Sequence, residues 1–323
     1  MKILVTGAAG FIGSYTCERL IEEGHQVWGI DNLSRGLASN LEVIRNHPNF
    51  TLIVGDAGDI KQVEHIGIQT IIHLASQKIP RYSSGWETLH ENARMTNALL
   101  EFSIQHNIRI LFASTSDVYG KNPQLPYTET SDCVLGSSTI KRWAYATSKL
   151  HSEHQLIAAG RTFGLHFQIM RFFGCYGPRH AQGWWGGPHS VFMERASLGE
   201  TLELHGDGLQ TRSFIFIDDL VEGVISLFKR DDIESGIFNF CSSPDQEISI
   251  STLAEKIWCL IRTDSPKIEL LPYANFEDYE DVMRRVGSAE KAEMLLNWKA
   301  KISFQEGLEK TWDWHQKQFT KTE

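Results

Sequence analysis

The stretch Gly7-Ala8-Ala9-Gly10-Phe11-Ile12-Gly13 decides the fold. It follows the β-branched, apolar run Ile3-Leu4-Val5-Thr6 and opens Ile12–Glu23, whose apolar residues recur at helical spacing. A glycine-rich turn between a strand and a helix is the setting in which backbone N–H groups meet a pyrophosphate. Gly7 permits a tight turn, Gly10 lets the backbone approach the anion, and Gly13 lets the helix pack on the sheet. The N–H groups of the first helical turn, at Phe11, Ile12 and Gly13, then face the ligand. The spacing is G-x-x-G-x-x-G, one residue longer between the first two glycines than the commonest form. Such glycines also serve ordinary turns, so the reading leans on Asp31, which ends the next apolar run 18 residues after Gly13. A carboxylate there accepts hydrogen bonds from both ribose hydroxyls and repels a 2′-phosphate, so the expected cofactor is NAD rather than NADP.

Beyond this stretch, Gln26–Ile30, Thr51–Val54, Thr70–Leu74, Arg109–Ser114 and His166–Arg171 are apolar on both faces, as strands buried on both sides are. Ile12–Glu23, Glu91–His106 and Ala144–Phe163 read as helices between them. The alternation predicts an α/β fold, a doubly wound parallel sheet of Rossmann type. After Arg171 a crowd of glycines and prolines, with Trp184 and Trp185, marks the start of a smaller C-terminal lobe. Ser213–Ile217 and Ile237–Phe240 again read as strands, and Leu253–Ile261, Ala289–Leu296 and Phe304–Gln316 as peripheral helices. The expected division is 1–172 for the dinucleotide, with 213–240 returning to it, and 173–212 plus 241–323 for the substrate.

Composition narrows the class. The 323 residues, 41% hydrophobic and 22% charged, suffice for two lobes and exclude a disordered chain. Lys and Arg number 31 against 40 Asp and Glu, a net charge of −9 that argues against a nucleic-acid partner while leaving room for local basic pockets. Five cysteines without a C-x-x-C pair suggest neither a disulfide framework nor a metal site, and fit a reducing cytoplasm. Gly7 and Gly10 interrupt the apolar N-terminus too early for a signal peptide, and no run reaches the ~18 apolar residues of a membrane span.

Tyr145-Ala146-Thr147-Ser148-Lys149 puts a phenol and an ammonium four residues apart, hence on one helix face. The segment Ser114-Thr115-Ser116-Asp117-Val118-Tyr119-Gly120 falls at the carboxyl end of a strand, where open parallel sheets bind ligands. A hydroxyl there would hydrogen-bond the substrate oxygen that Tyr145 deprotonates. With an ordinary pKa near ~10, Tyr145 needs nearby positive charge, from Lys149 and a cationic cofactor ring, to act as a base at neutral pH. Asp56, after the third strand, either lies near the adenine or caps its own turn.

These motifs, in order, resemble the extended short-chain dehydrogenase/reductases, the NAD-dependent epimerase/dehydratase family. GAAGFIG, Asp31-Asn32, HLAS at His73–Ser76, STSDVYG, YATSK, YGPR at Tyr176–Arg179 and GDGLQTRSFIFIDD at Gly206–Asp219 carry the resemblance, and KAEMLLNWKAKISFQEGL extends it over nearly the whole chain. It implies a nucleotide-sugar substrate, most often UDP-linked, and a tightly held NAD regenerated each turnover. Thr115, Tyr145, Lys149 and Asp117 would be catalytic. Asn32, Ala57, Leu74, Ala75, Ser76, Lys78, Asn92 and Ser114 would join Asp31 and Asp56 around NAD. Arg212 would pair with the substrate diphosphate, and Arg81, Ser116, Gly174, Ser190, Asp281 and Arg284 would complete the substrate site. Bland readings stand beside these: a surface charge for Arg81 and Arg284 and a helix-interior hydrogen bonder for Asn92; Trp184 and Trp185 either wall the sugar pocket or serve as a packing plug or a subunit contact. The resemblance also implies a homodimer through the helices at Glu91–His106 and Ala144–Phe163.

Family members share an oxidation at sugar C4 and differ in the fate of the 4-keto sugar. Dehydratases of the family typically carry Asp-Glu at the positions of Ser116 and Asp117, and decarboxylases Ser-Glu. Ser116 removes the dehydratase acid, and Asp117 keeps a carboxylate about 1.5 Å shorter in reach than Glu; the alternative for Asp117 is a carboxylate that only satisfies loop amides. KIPRY at Lys78–Tyr82 and WWGGP resemble bacterial UDP-glucose or UDP-glucuronate 4-epimerases. The expected function is thus 4-epimerisation, with decarboxylation, dehydration or a non-catalytic NAD sensor as rivals. Gly174 stands where the family has Asn, which would make room for a bulkier substituent.

Overall fold

The computed structural model describes residues 1–78, 84–181, 183–273 and 280–319. Strands β1 (Lys2–Thr6), β2 (Gln26–Asp31), β3 (Phe50–Val54), β4 (Thr70–His73), β5 (Arg109–Thr115) and β6 (Phe167–Phe172) alternate with helices α1 (Phe11–Glu22), α2 (Gly85–His106) and α3 (Trp143–Phe163). There follow β7 (Gly174–Tyr176), α4 (Pro188–Leu198), β8 (Leu202–His205), β9 (Thr211–Arg212), β10 (Phe214–Phe216), α5 (Ile217–Phe228) and β11 (Gly236–Phe240). The chain closes with β12 (Ile248–Ser249), α6 (Ile250–Ile261), β13 (Ile268–Leu271), β14 (Arg284–Arg285), α7 (Glu290–Leu296) and α8 (Phe304–Phe319).

Seven strands form one parallel sheet in the order β11-β6-β5-β4-β1-β2-β3. The double-sided burial follows from strand alternation. Ile3 and Val5 face a core shared with α1 and α5, while Leu4 faces one shared with α2 and α3; Ile72 and Leu111 lie on the first side, Ile71, Ile110 and Phe112 on the second. The chain leaves β1 toward β2 on one side and returns to β4 on the other, so the turns after β1 and β4 diverge and open a crevice at the carboxyl edge.

α2 begins six residues before its apolar period becomes visible, because Ser84 and Glu87 close a reciprocal capping box. Two helices escape the periodic reading. α4 rises out of the glycine-rich stretch on Pro188 and ends at Gly199 (φ 70°). α5 takes over at Ile217, where a strand was expected to end. It carries few polar residues to mark its period, and Leu220, Val221, Val224, Ile225, Leu227 and Phe228 are all buried beside α1 and α7. Short pairs, β7 with β10, β8 with β13, and β12-β9-β14, build the smaller region with α4 and α6.

Leu220 is fully buried. Its replacement by Ala should destabilise the protein by about 2–5 kcal/mol, read from urea unfolding.

Candidate active site

A cleft of about 1260 Å³ runs along the carboxyl edge of the sheet. Its near end is the glycine loop, with Gly7, Gly10, Phe11, Ile12 and Gly13 on its wall. A Cβ on Gly13 would sit 2.0 Å from the Gly7 carbonyl oxygen, and one on Gly7 (φ 70°) 2.8 Å from Ala75 N, so only glycine fits either position. α1 starts with no side-chain cap and no acidic residue in its first turn, which leaves its N–H groups open to an anion. Asp31 is buried beneath the loop; its Oδ2 accepts the Ala9 N–H at 3.0 Å and its Oδ1 the Leu33 N–H at 2.8 Å, with further lone pairs left for ribose hydroxyls. The set fits a dinucleotide.

At the centre stand Ser76, Thr115, Tyr145 and Lys149. Ser76 and Thr115 flank the Tyr145 phenol and act to lower its pKa, but burial, joined by the Asp117 charge, holds it well above its ordinary value of 10. The expected help from Lys149 is not in place: its ammonium donates to the Ala113 carbonyl at 2.8 Å and lies 4.7 Å from the Phe112 ring centre. Burial lowers its pKa to about 7 against the opposing charge of Glu153. Ser114 also reaches the cleft, but its hydroxyl donates to Glu153 at 2.5 Å.

The far half is a charged chamber. Asp117 Oδ1 meets Arg285 at 2.5 Å and Arg142 at 3.6 Å. Burial alone would raise this carboxyl, but Arg285, Arg142, Arg212 and Lys78 outweigh it and hold it below the usual carboxylate range. Arg212 donates to Asp281 at 2.7 Å and to the Val282 carbonyl, while Asp281 also accepts from Tyr273. All of Lys78, Asp117, Arg142, Arg212, Asp281 and Arg285 line the cleft: four cations against two carboxylates. Arg285 Nε is buried with no hydrogen-bond partner among the described residues.

Several expected contacts lie off this cleft. Asn32 is exposed and spends its carbonyl on Ser34. Asp56 caps its own turn through Gly58 N and meets Arg94 at 2.8 Å, while Ala57 packs into the α2/α3 core. Ala75 donates to Thr6 Oγ1. Asn92 is consumed inside the protein, accepting from Ser76 and Gln77 and donating to Gln77 O and Ser148, which makes it a brace for the 76–77 turn. Ser190 is buried under Gly186. Arg284 points outward to Glu247, because alternation along β14 sends Arg285 into the cleft instead. Arg81 lies outside the described residues. Leu74, Ser116 and Gly174 are on the wall, but Gly174 frees no space: a Cβ there would come within 2.8 Å of the Phe214 ring, which already fills it. Both tryptophans line the cleft, Trp184 against His205 and Trp185 under the Arg35 guanidinium at 3.9 Å. Arg142 and Arg285 are the functional candidates that sequence reasoning missed; nothing in their local sequence separates them from surface arginines.

The model of the NAD dependent epimerase/dehydratase family matches residues 3–241, and the chain belongs to that family. Its cofactor is NAD. The chain is 30% identical over 320 residues to a UDP-N-acetyl-alpha-D-glucosaminuronate decarboxylase of Bacillus cytotoxicus, covering 97% of each. It is 33% identical over 319 residues to UDP-glucuronic acid decarboxylase 1 of Danio rerio, covering 96% of this chain and 71% of that protein. Among solved structures it resembles UDP-glucose 4-epimerase of Thermotoga maritima with UDP-glucose, at a TM-score of 0.87 and 28% identity, over 99% of this chain and 100% of the other.

This geometry has two measurable consequences. Gly174→Asn should overpack the wall by about 1–3 kcal/mol and should cost clearly less when made in a Phe214→Ala background, itself destabilised by about 3–5 kcal/mol, all read by thermal unfolding. Lys149 has a folded pKa of about 7 against an ordinary 10.5. Between these values the unfolded chain binds the extra proton, so stability contributed by this group rises with pH and is lost as pH falls toward 7. Urea melts of the protein without cofactor should show that slope from about pH 7 to 9, and Lys149→Met should remove it.

Proposed function

We propose that the protein is a NAD-dependent nucleotide-sugar 4-epimerase that works through a transient 4-keto sugar, with a UDP-hexuronate as its preferred substrate. The observation that carries the reading is the adjacency, in one cleft, of the Tyr145 phenol with its Thr115 and Ser76 partners and a chamber holding a surplus of cations. A substrate diphosphate and a sugar carboxylate are the anions such a chamber suits, and the planar forks of Arg142, Arg212 and Arg285 match both.

In this reading the glycine loop, Asp31, Leu74, Ser76, Lys78, Ser114 and Lys149 hold NAD. Bound NAD supplies a hydride acceptor for C4 and a positive ring that favours the Tyr145 phenolate. Thr115 orients the C4 hydroxyl, Tyr145 takes its proton and later returns one, and Lys149 holds the nicotinamide ribose. Rotation of the keto sugar before the return step gives the inverted C4. Arginines paired with a C5 carboxylate stabilise its charged ground state, which works against loss of carbon dioxide and favours epimerisation of a hexuronate. The second reading is a decarboxylase, supported by the names of the relatives and by Asp117 at the strand end.

The same reading assigns NAD to residues 1–172 with 213–240, and the sugar nucleotide to 173–212 with 241–323. It takes the protein as cytoplasmic, in keeping with five cysteines free of disulfides; no helix among the described residues is long and apolar enough to cross a membrane. It also takes the protein as a homodimer through α2 and α3, supported by exposed Trp86 and Leu89 on α2 and Phe163 on α3.

NMR of the purified protein with UDP-glucuronate, UDP-glucose and UDP-N-acetylglucosamine tests the proposal. A C4-inverted product without added NAD is expected. A UDP-pentose with carbon dioxide establishes the decarboxylase, a 4-keto-6-deoxy sugar a dehydratase, and bound NAD without conversion a sensor. Tyr145→Phe should lower turnover by at least ~10²-fold.

A further inference from the structure

The reaction accounts for Tyr145 and Lys149 but not for Glu153, the next residue on the same face of α3 at four-residue spacing. Glu153 is 1% exposed and Arg171 3% exposed. Arg171 grips the carboxylate with two nitrogens, Nε to Oε1 at 3.0 Å and a terminal nitrogen to Oε2 at 2.6 Å. Ser114 donates to the same Oε1. Arg171 itself sits directly across the β5–β6 ladder from Ser114 and is further placed by the Glu129 carbonyl and the Tyr119 ring.

The result is a one-to-one keying of helix to strand. Ala113, Ser114 and Thr115, consecutive at the end of β5, engage Lys149, Glu153 and Tyr145 in turn. A buried ion pair is weak grounds for stability, since well-packed apolar residues commonly serve as well. Its presence beneath the reacting groups points to placement instead.

The charges around Lys149 support this. On its own helix the neighbour is Glu153; from β6 comes Arg171, already paired with it. From β4 comes His73, kept neutral by burial and by Lys149 itself, with its Nδ1 bonded to Thr6. α2 faces this part of α3 with neutral Asn92 and Thr96. Glu153 is thus the negative charge that favours the ammonium.

We propose that Glu153 is a positioning residue for the reaction. Braced by Arg171, its carboxylate holds Ser114 and α3 in register with the end of β5 and opposes the burial that drives Lys149 toward the neutral amine. The proposal rests on the reading of Tyr145 and Lys149 as the reacting pair.

The test tracks the Lys149 side-chain carbon signal by NMR against pH, assigned with Lys149→Met, beside the pH profile of turnover on UDP-glucuronate. In Glu153→Gln the Lys149 midpoint should fall by about one pH unit, and the alkaline limb of kcat should move with it. Above the limb kcat should be about tenfold lower, with KM little changed. Glu153→Asp should keep the limb near its wild-type place at reduced kcat. Glu153→Gln with Arg171→Gln removes both charges, and should fold while retaining the lowered midpoint. A wild-type midpoint in either Gln variant overturns the proposal, as does failure of both to fold, which assigns the pair to stability alone. Full activity of Tyr145→Phe overturns the reacting-pair reading instead, and leaves the Lys149 midpoint to decide the electrostatic role of Glu153.

Discussion

The approach of α1 to the turn that precedes it is the constraint on which the cleft depends. With a side chain at residue 13 the helix would be pushed off the Gly7 carbonyl, and the open N–H groups at its start would no longer face the crevice between β1 and β4. That crevice exists because parallel strands diverge at a topological switch, and it has chemical content because the sheet delivers Thr6, Asp31, His73 and Thr115 to one edge. Helix start and strand ends together turn a buried sheet into an anion site.

The electrostatics are local. A chain of net charge −9 concentrates Lys78, Arg142, Arg212 and Arg285 around two carboxylates at one end of the cleft, and leaves bare backbone N–H groups at the other. Between them the reacting groups lie in a drier setting that disfavours charge: Tyr145 is pushed up and Lys149 down to about 7. Both shifts have desolvation as their leading cause, so bound ligand charge acts on groups that burial holds toward their uncharged forms.

Legibility divides along the same line. The strands of the main sheet are readable because burial on both faces leaves continuous apolar runs, and Tyr145 and Lys149 because four-residue spacing fixes a shared helix face. Asp56 as the cap of its own turn and Asn92 as a helix-interior hydrogen bonder are legible as alternatives, but their partners Arg94 and Ser148 are not, because these lie 38 and 56 residues away. Gly174 reads as space in the sequence, yet the space belongs to Phe214, forty residues later.

Local backbone geometry over a few residues makes the alternation of strands and helices through β6, the glycine loop and the Tyr145/Lys149 face readable from the sequence alone. Tertiary structure alone decided which of Arg284 and Arg285 enters the cleft, that Arg142 joins it, and that Lys149 bonds to Ala113 rather than supporting Tyr145 directly. Those outcomes depend on strand register, and on charges and rings brought together from segments between about 25 and 168 residues apart, which no local pattern encodes.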